Sequence, residues 1–393
     1  VYQGIAATPS GTGEYAAQHR ELGYRPFGNG GIVVSEAGFG GYRVDVSMAE
    51  HRRALEYALR SGINLIDTSA NYADGGSERL VGAVLADMIK RGELARDQVV
   101  VVTKAGYLQG GNLALGRQRK AEGDPFPELV IIDPELEHCI HPVFLTEQLT
   151  RSMQRMQLKH IDCLLLHNPE YYLKWASHNK IAGEVAQAEY LRRIEIAFRY
   201  LESEVERGRI GCYGISSNTF PKPNSDYERT SLSAIWSLAE KISPGHHFRV
   251  IEFPCNLFEP AAAIEKNQPA ERTLLEFAAA MKRTTLINRP LNAIQDDQLI
   301  RLAENVYAGE AFAEAKAFRD RISGLDSDWS AGSLSQLAIR SLRSTAGITS
   351  VLIGMRKTAY VEDVLQELRQ ACPVGDRRKA WGAIAEFLGE RNG

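Results

Sequence analysis

Val99-Val-Val-Val-Thr103 and Asp162-Cys-Leu-Leu-Leu166 carry apolar side chains at odd and even positions alike. A strand with one wet face alternates apolar and polar residues, whereas a strand that is apolar on both faces is covered on both, as in a parallel sheet wrapped by helices. Working outward, short runs of this kind recur along the chain, each followed by a stretch with helical periodicity. The spacing predicts strands near residues 37–39, 64–68, 99–104, 161–167, 210–215, 249–253, 284–287 and 349–353. The helices between them include 51–60, 77–90, 145–157 and 191–207. Eight βα units favour a closed (β/α)8 TIM barrel of the α/β class over an open doubly wound sheet. No GxGxxG turn follows any strand, and its nearest imitation, Gly38-Phe-Gly-Gly41, is too short and continues into Tyr42-Arg43.

The rest of the chain is arranged around that barrel. Residues 1–22, with Gly11 and Gly13 among polar neighbours, predict a flexible tail, and residues 23–393 a single barrel domain. An N-terminal hairpin over 24–34 is expected to cap it. Insertions at 105–143, 168–186 and 292–328 are too long for ordinary loops, and the third is expected to hold extra helices around 298–318. Beyond Asp376, Trp381, Ile384 and Phe387 share one face of a final amphipathic helix.

Composition narrows the function. With 393 residues, 44% of them hydrophobic, the chain can bury a full core. Its 46 basic and 49 acidic residues leave a formal charge of -3 without long runs of either sign, which argues against a nucleic-acid partner and for a small molecule. Five cysteines without CxxC spacing point to a reducing, cytoplasmic compartment. No run of about 18 apolar residues spans a membrane, and residues 1–20 lack the pattern of a signal peptide. The oligomeric state has no signature.

Barrels of this kind do their chemistry at the C-terminal ends of the strands. Asp67 closes the second predicted strand, Tyr72 follows five residues later, Lys104 closes the third and His167 the fourth. Sequential strands are neighbours, so these side chains converge. A phenol has a pKa of about 10, and a nearby ammonium makes it a better acid. Lys104 supplies that charge, Asp67 keeps the ammonium protonated, and His167 can orient a reacting oxygen. Such a group serves hydride addition to an aldehyde or ketone, with the hydride supplied by a cofactor. Each piece also has a structural reading: Asp67 and Lys104 as an ion pair, His167 as a core histidine, Tyr72 as part of a loop, Ser77 as a helix N-cap. His138-Cys-Ile-His141 lacks partners for a tetrahedral metal site and reads as loop. A different chemistry, a Schiff-base aldolase-type lyase using Lys104, needs a neutral amine, which Asp67 opposes.

The stretch Gly62-Ile-Asn-Leu-Ile-Asp-Thr-Ser-Ala-Asn-Tyr72, then Gly76-Ser-Glu78 with Gly82, Thr103-Lys104, Leu165-Leu-His167 and Gly208-Arg-Ile-Gly-Cys-Tyr-Gly-Ile-Ser216 resemble the successive signatures of the aldo-keto reductase superfamily. The resemblance runs over about residues 24–371. It implies that Tyr72 is the general acid, that Lys104 and Asp67 tune it, and that His167 orients the substrate. It further implies an NADP(H) cofactor across the barrel top and a small carbonyl or alcohol substrate. Ser216 with Ser217 or Asn218 would grip the nicotinamide carboxamide, and Pro290 and Leu291 would border the cofactor. Glu252 stands where the family usually has a carboxamide-binding Gln, and Cys255 where a tyrosine usually stacks on the nicotinamide. Another ring, with Phe253, Phe258 and Tyr107 as candidates, would have to replace it. Gly354-Met-Arg-Lys-Thr358 matches the phosphate-binding turn, in which Arg356 and Lys357 suit a 2′-phosphate. Tyr360 and Val364 replace the usual Gln and Asn beyond it. The superfamily also contains non-catalytic NADP(H)-binding regulatory subunits, the third reading.

Overall fold

A computed structural model describes residues 6–295, 298–302 and 310–392. Eight parallel strands close into a barrel in chain order: β1 (Ala37–Gly40), β2 (Leu65–Asp67), β3 (Val100–Ala105), β4 (Ile161–His167), β5 (Ile210–Ser216), β6 (Phe248–Pro254), β7 (Thr284–Asn288) and β8 (Ser350–Ile353). Each is followed by a helix of the outer ring: α1 (Ala49–Arg60), α2 (Gly76–Lys90), α3 (Pro142–Met156), α4 (Gly183–Glu206), α5 (Leu232–Ile242), α6 (Leu274–Ala280), α7 (Leu334–Arg343) and α8 (Thr358–Leu368). This is the predicted (β/α)8 barrel.

The runs that are apolar on both faces divide their side chains by parity. Leu65, Val100, Val102, Cys163, Leu165, Cys212, Val250, Leu286 and Leu352 form a cluster inside the barrel. Ile66, Val101, Leu164, Ile215, Phe253, Ile287 and Val351 lie in the larger cluster between strands and helices. Phe27 and Val34, from the antiparallel hairpin Tyr24–Pro26 and Val33–Ser35, join the inner cluster and close its lower end. Helices approach one another closely where side chains are absent: a Cβ on Gly82 of α2 would stand 2.5 Å from the Met156 carbonyl oxygen of α3.

Three expectations need correction. The expected N-terminal tail contains a helix, Pro9–Gln18, docked against the barrel. Thr8 caps it by accepting from the Gly11 amide at 2.9 Å, the Tyr15 hydroxyl donates to the Leu59 carbonyl, and the Ala7 amide donates to Asp162 Oδ1 at 2.7 Å. Thr8-Pro9 is an N-cap followed by proline at the first helical position, a start signal that the nearby glycines obscured. Ser77 is not an N-cap, because α2 begins at Gly76. It is the second residue of the helix, and its hydroxyl reaches out of it, accepting from Thr68 Oγ1 at 2.8 Å and donating to the Gly41 carbonyl at 3.1 Å. Finally, the helix expected from about residue 298 is preceded by a strand, Gln298–Arg301, paired with Asn292–Gln295. The helix itself spans Glu310–Ser323. Part of that expectation, 303–309, lies outside the described residues.

The insertion after β3 is a small subdomain, with helix Gly110–Ala121 and a three-stranded sheet of Tyr107–Leu108, Leu136–His138 and Val130–Asp133. That after β4 carries helix Tyr171–His178. The C-terminal helix Arg378–Asn392 buries Trp381 and Ile384, with Trp381 in edge contact with Trp329 at 5.4 Å.

Candidate active site

Strand parity continues upward from the inner cluster. Two residues above Leu65, Val102, Leu165, Val250 and Leu286 stand Asp67, Lys104, His167, Glu252 and Asn288, while Ser216 lies four above Cys212. A period of two therefore makes these six the top layer of the barrel interior. All but Asn288, which is half-buried, are buried.

Lys104 is the hub. Its Nζ donates to Asp67 Oδ2 at 2.6 Å and to the Tyr72 hydroxyl at 3.4 Å, and lies 3.3 Å from Glu252 Oε2. The Lys104 ammonium is fully buried. Burial works against its charge, but Asp67 and Glu252 more than offset this and hold its pKa above the usual lysine range. Burial raises the Tyr72 phenol above the usual tyrosine range, and Lys104 offsets only part of that rise. Burial also pushes Asp67 upward, followed by the neighbouring Glu252 carboxylate. His167 is driven well below the usual histidine range by burial, then by Lys104 and His138, so its imidazole is neutral.

The turn that presents Tyr72 is strained: Ala73 and Asp74 both take φ of 50°, ahead of Gly75 at 78°. Left-handed backbone is costly for non-glycine residues, so something must hold them there. The first insertion does. Gly111 donates its amide to Asp74 Oδ1 and Asn71 Nδ2 donates to Gln109 Oε1, each at 3.0 Å. His167 is similarly braced, its carbonyl accepting from His138 Nε2 at 2.7 Å and its Nδ1 lying 3.0 Å from Ser69 Oγ. Tyr72 and Tyr107 meet the His167 ring edge-on, at 5.9 and 4.6 Å, and Tyr107 also packs on Tyr171. Glu78, from the Gly76-Ser-Glu78 run, serves the architecture. It accepts from Thr103 Oγ1 at 2.6 Å and from Arg155 Nε at 2.5 Å, tying α2 to β3 and α3.

The remaining sequence candidates separate. Glu252 Oε1 accepts from Ser216 Oγ and from Asn288 Nδ2, both at 3.0 Å. Ser217 has the opposite parity and turns its hydroxyl to Thr230 Oγ1 at 3.0 Å, away from that group. Asn218 is exposed, and its amide donates to Glu170 Oε1 at 2.8 Å. Cys255 and Phe253 also have outward parity and are sealed in the outer core, while Phe258 stacks on Phe318 at 5.0 Å. Of the three rings considered, Tyr107 alone adjoins the Tyr72, Lys104 and His167 group, through the His167 ring. Pro290 is buried and Leu291 half-buried at the end of β7. Arg356 and Lys357 lie at the start of α8, and among the described residues neither is ion-paired. Sequence reasoning missed Asn288 and Ser69; counting two residues up from Leu286 finds the first, and Ser69 lies within the Gly62–Tyr72 stretch.

The arrangement can hold a neutral hydrogen-bonding imidazole and a phenol charge-coupled to a buried ammonium around one point. It also fits a nicotinamide dinucleotide. Ser216, Glu252 and Asn288 offer amide-recognising groups beside the phenol, and a Cβ at Gly354 would meet open space. The α8 N-terminus has no side-chain cap, and Arg356 and Lys357, without ion-pair partners among the described residues, stand there for phosphate.

Comparison with known proteins agrees. A family model described as the aldo/keto reductase family matches residues 36–233. The NADH-specific methylglyoxal reductase of Escherichia coli (strain K12) is 28% identical over 183 residues, 44% of this chain and 51% of that protein, so the chain spans about half the length of this relative. Two solved structures share the fold at low identity. An aldo-keto reductase from Bacillus halodurans in its holo form superposes with a TM-score of 0.59 at 17% identity, covering 92% of this chain and 96% of that one. An aldo/keto reductase from Klebsiella pneumoniae in complex with NADP and acetate superposes with a TM-score of 0.52 at 18% identity, covering 92% and 94%. With just over half of its residues matched by the family model, the chain belongs to the aldo/keto reductase family.

Proposed function

We propose that this protein is an NADPH-dependent oxidoreductase that reduces an aldehyde or ketone, or oxidises the matching alcohol, with Tyr72 as general acid. The observation that carries the reading is the position of Lys104 Nζ, between Asp67 Oδ2 at 2.6 Å and the Tyr72 hydroxyl at 3.4 Å, with neutral His167 beside them. Ser216, Glu252 and Asn288 would hold the nicotinamide of such a cofactor, which when bound would supply the hydride to the carbonyl carbon. His167 holds the carbonyl oxygen against Tyr72. As negative charge develops on that oxygen, Tyr72 gives it a proton, and Lys104 stabilises the phenolate left behind. In the oxidative direction the phenolate takes the alcohol proton. Arg356 and Lys357 support NADPH over NADH through charge-assisted contacts with a 2′-phosphate. The bacterial relative named as NADH-specific makes that preference the point to test.

The Schiff-base reading needs a free amine, and Lys104 is held as an ammonium between the carboxyl groups of Asp67 and Glu252. The test is a panel of carbonyl compounds and sugars followed by NADPH absorbance, with matching alcohols and NADP in reverse. Turnover that vanishes in Tyr72→Phe supports the reading. Bound cofactor oxidised no faster with carbonyls than without them favours the regulatory-subunit reading.

A further inference from the structure

Two buried carboxyls face one buried ammonium at the barrel top. Asp67 and Glu252 are 4% and 2% exposed, and both lie against Lys104 Nζ. If both were ionised, the cluster would hold a net negative charge in a dry pocket, which is strongly disfavoured. The hydrogen bonds point to the remedy. Among the described residues Asp67 Oδ1 and Glu252 Oε2 are buried without a hydrogen-bond partner, and Asp67 Oδ2 and Glu252 Oε2 lie 2.6 and 3.3 Å from the same Lys104 Nζ, which makes the two carboxyl groups neighbours. One proton between them makes one a donor and the other its acceptor, and leaves a single negative charge opposite Lys104.

We propose that Glu252 is a fifth, positioning member of the acid–base cluster, sharing one proton with Asp67 beside Lys104. The groups facing it are Asp67 of β2, Lys104 of β3 and Tyr72 of the β2 turn, which titrate, and Ser216 of β5 and Asn288 of β7, which do not; His167 of β4, which titrates, stands in the same layer. β1 and β8 end in Gly40 and Ile353 and bring no charge. The glutamate thereby does more than stand in for a carboxamide-binding glutamine: it acts through Lys104 on the phenol. While the proton is shared, Tyr72 faces a balanced ion pair and remains a usable donor. When rising pH removes the proton, a second negative charge appears beside the phenol and disfavours its ionisation. Reduction then weakens, and alcohol oxidation, which needs phenolate, starts at higher pH.

The kinetic consequence rests on the reductase reading, but the shared proton does not, so two measurements separate them. Infrared pH-difference spectra of the purified chain should show a protonated-carboxyl stretch at neutral pH. Glu252→Gln and Asp67→Asn should each remove the pair's share of it and leave that of Glu170, because the remaining carboxyl ionises against Lys104, and Glu252→Asp should retain it. No difference in this band between wild type and both variants would overturn the proposal. In pH profiles, Glu252→Gln should begin alcohol oxidation about one pH unit lower than wild type and lose the pair's step from the alkaline fall in reduction. Superimposed profiles from active enzymes would overturn the positioning role. A band that behaves as expected in a protein that turns over no carbonyl would support the pair and reject the reductase reading.

Discussion

Two aspartate–cation pairs lie buried at opposite ends of the barrel, and they are built differently. At the lower end Asp162, the second residue of β4, pairs with Arg96 at 2.7 Å, both side chains under 5% exposed. Its carboxylate is saturated: Oδ1 accepts the Ala7 amide, and Oδ2 accepts Arg96 together with the Val101 amide. At the upper end Asp67 pairs with Lys104 at 2.6 Å, yet among the described residues Oδ1 has no partner, and a second carboxyl group crowds the same ammonium. A buried pair whose carboxylate oxygens are both partnered has one protonation state and holds strands and the N-terminal segment in register. An under-satisfied one keeps spare capacity for protons, which suits chemistry and not rigidity.

The largest effect expected from breaking this contrast is at the top. Tyr72→Phe should lower carbonyl reduction about 100-fold to 10,000-fold while leaving NADPH affinity and thermal stability nearly unchanged. If the variant retains half of wild-type turnover on a substrate whose chemical step is rate-limiting, Tyr72 is not the acid.

Next come the two cations. Arg96→Leu strands the Asp162 carboxylate and should cost about 3–5 kcal/mol in denaturant unfolding, with turnover per folded molecule little changed. Lys104→Met should abolish turnover at a smaller stability cost, because Asp67 and Glu252 can take up protons instead. Equal stability losses in the two variants would erase the distinction between a structural and a chemical pair.

Glu170 provides a third, smaller case at the barrel top. It is 4% exposed, with Oε1 on the Asn218 amide, Oε2 unpartnered among the described residues, and a carboxyl pushed up to about 7, chiefly by burial. Its folded pKa lies above the ordinary 4.5. The stability it contributes is therefore present below that value and lost as pH rises through 7. Glu170→Gln should be more stable than wild type at pH 8 by on the order of 1–3 kcal/mol, and the advantage should shrink toward pH 4. Parallel stability–pH curves would show that Glu170 is solvated in solution.

The smallest expected change is at the cofactor end. Arg356→Ala should weaken NADPH binding about tenfold and spare NADH, since one charge-assisted contact is worth roughly 1.5 kcal/mol or more. Fluorescence titrations giving equal losses for both cofactors would remove Arg356 from 2′-phosphate recognition.

Legibility followed the range of the interactions. Asp67, Lys104 and His167 could be found because each ends a strand whose apolar run announces itself, and Tyr72 because it lies on the turn directly after one of them. Strand parity, equally local, would have separated Ser216 from Ser217 and turned Cys255 away from the site. The Pro9–Gln18 helix was hidden because its weak amphipathic pattern is stabilised by docking on Asp162, Asp97 and Leu59, residues far along the chain. The insertion after β3 was unreadable for a similar reason: its short strands pair only with one another and brace a strained turn elsewhere.

From residue order alone followed the repeated βα unit, the closed barrel it requires and the line of titratable groups at successive strand ends, since periodicity of two and neighbouring strands are short-range properties. Only the tertiary structure decided that Glu252 of β6 shares Lys104 with Asp67 of β2. Closing the barrel brings inward side chains of non-neighbouring strands across a few ångströms, and no local pattern records which of them will meet or how many charges one ammonium must then balance.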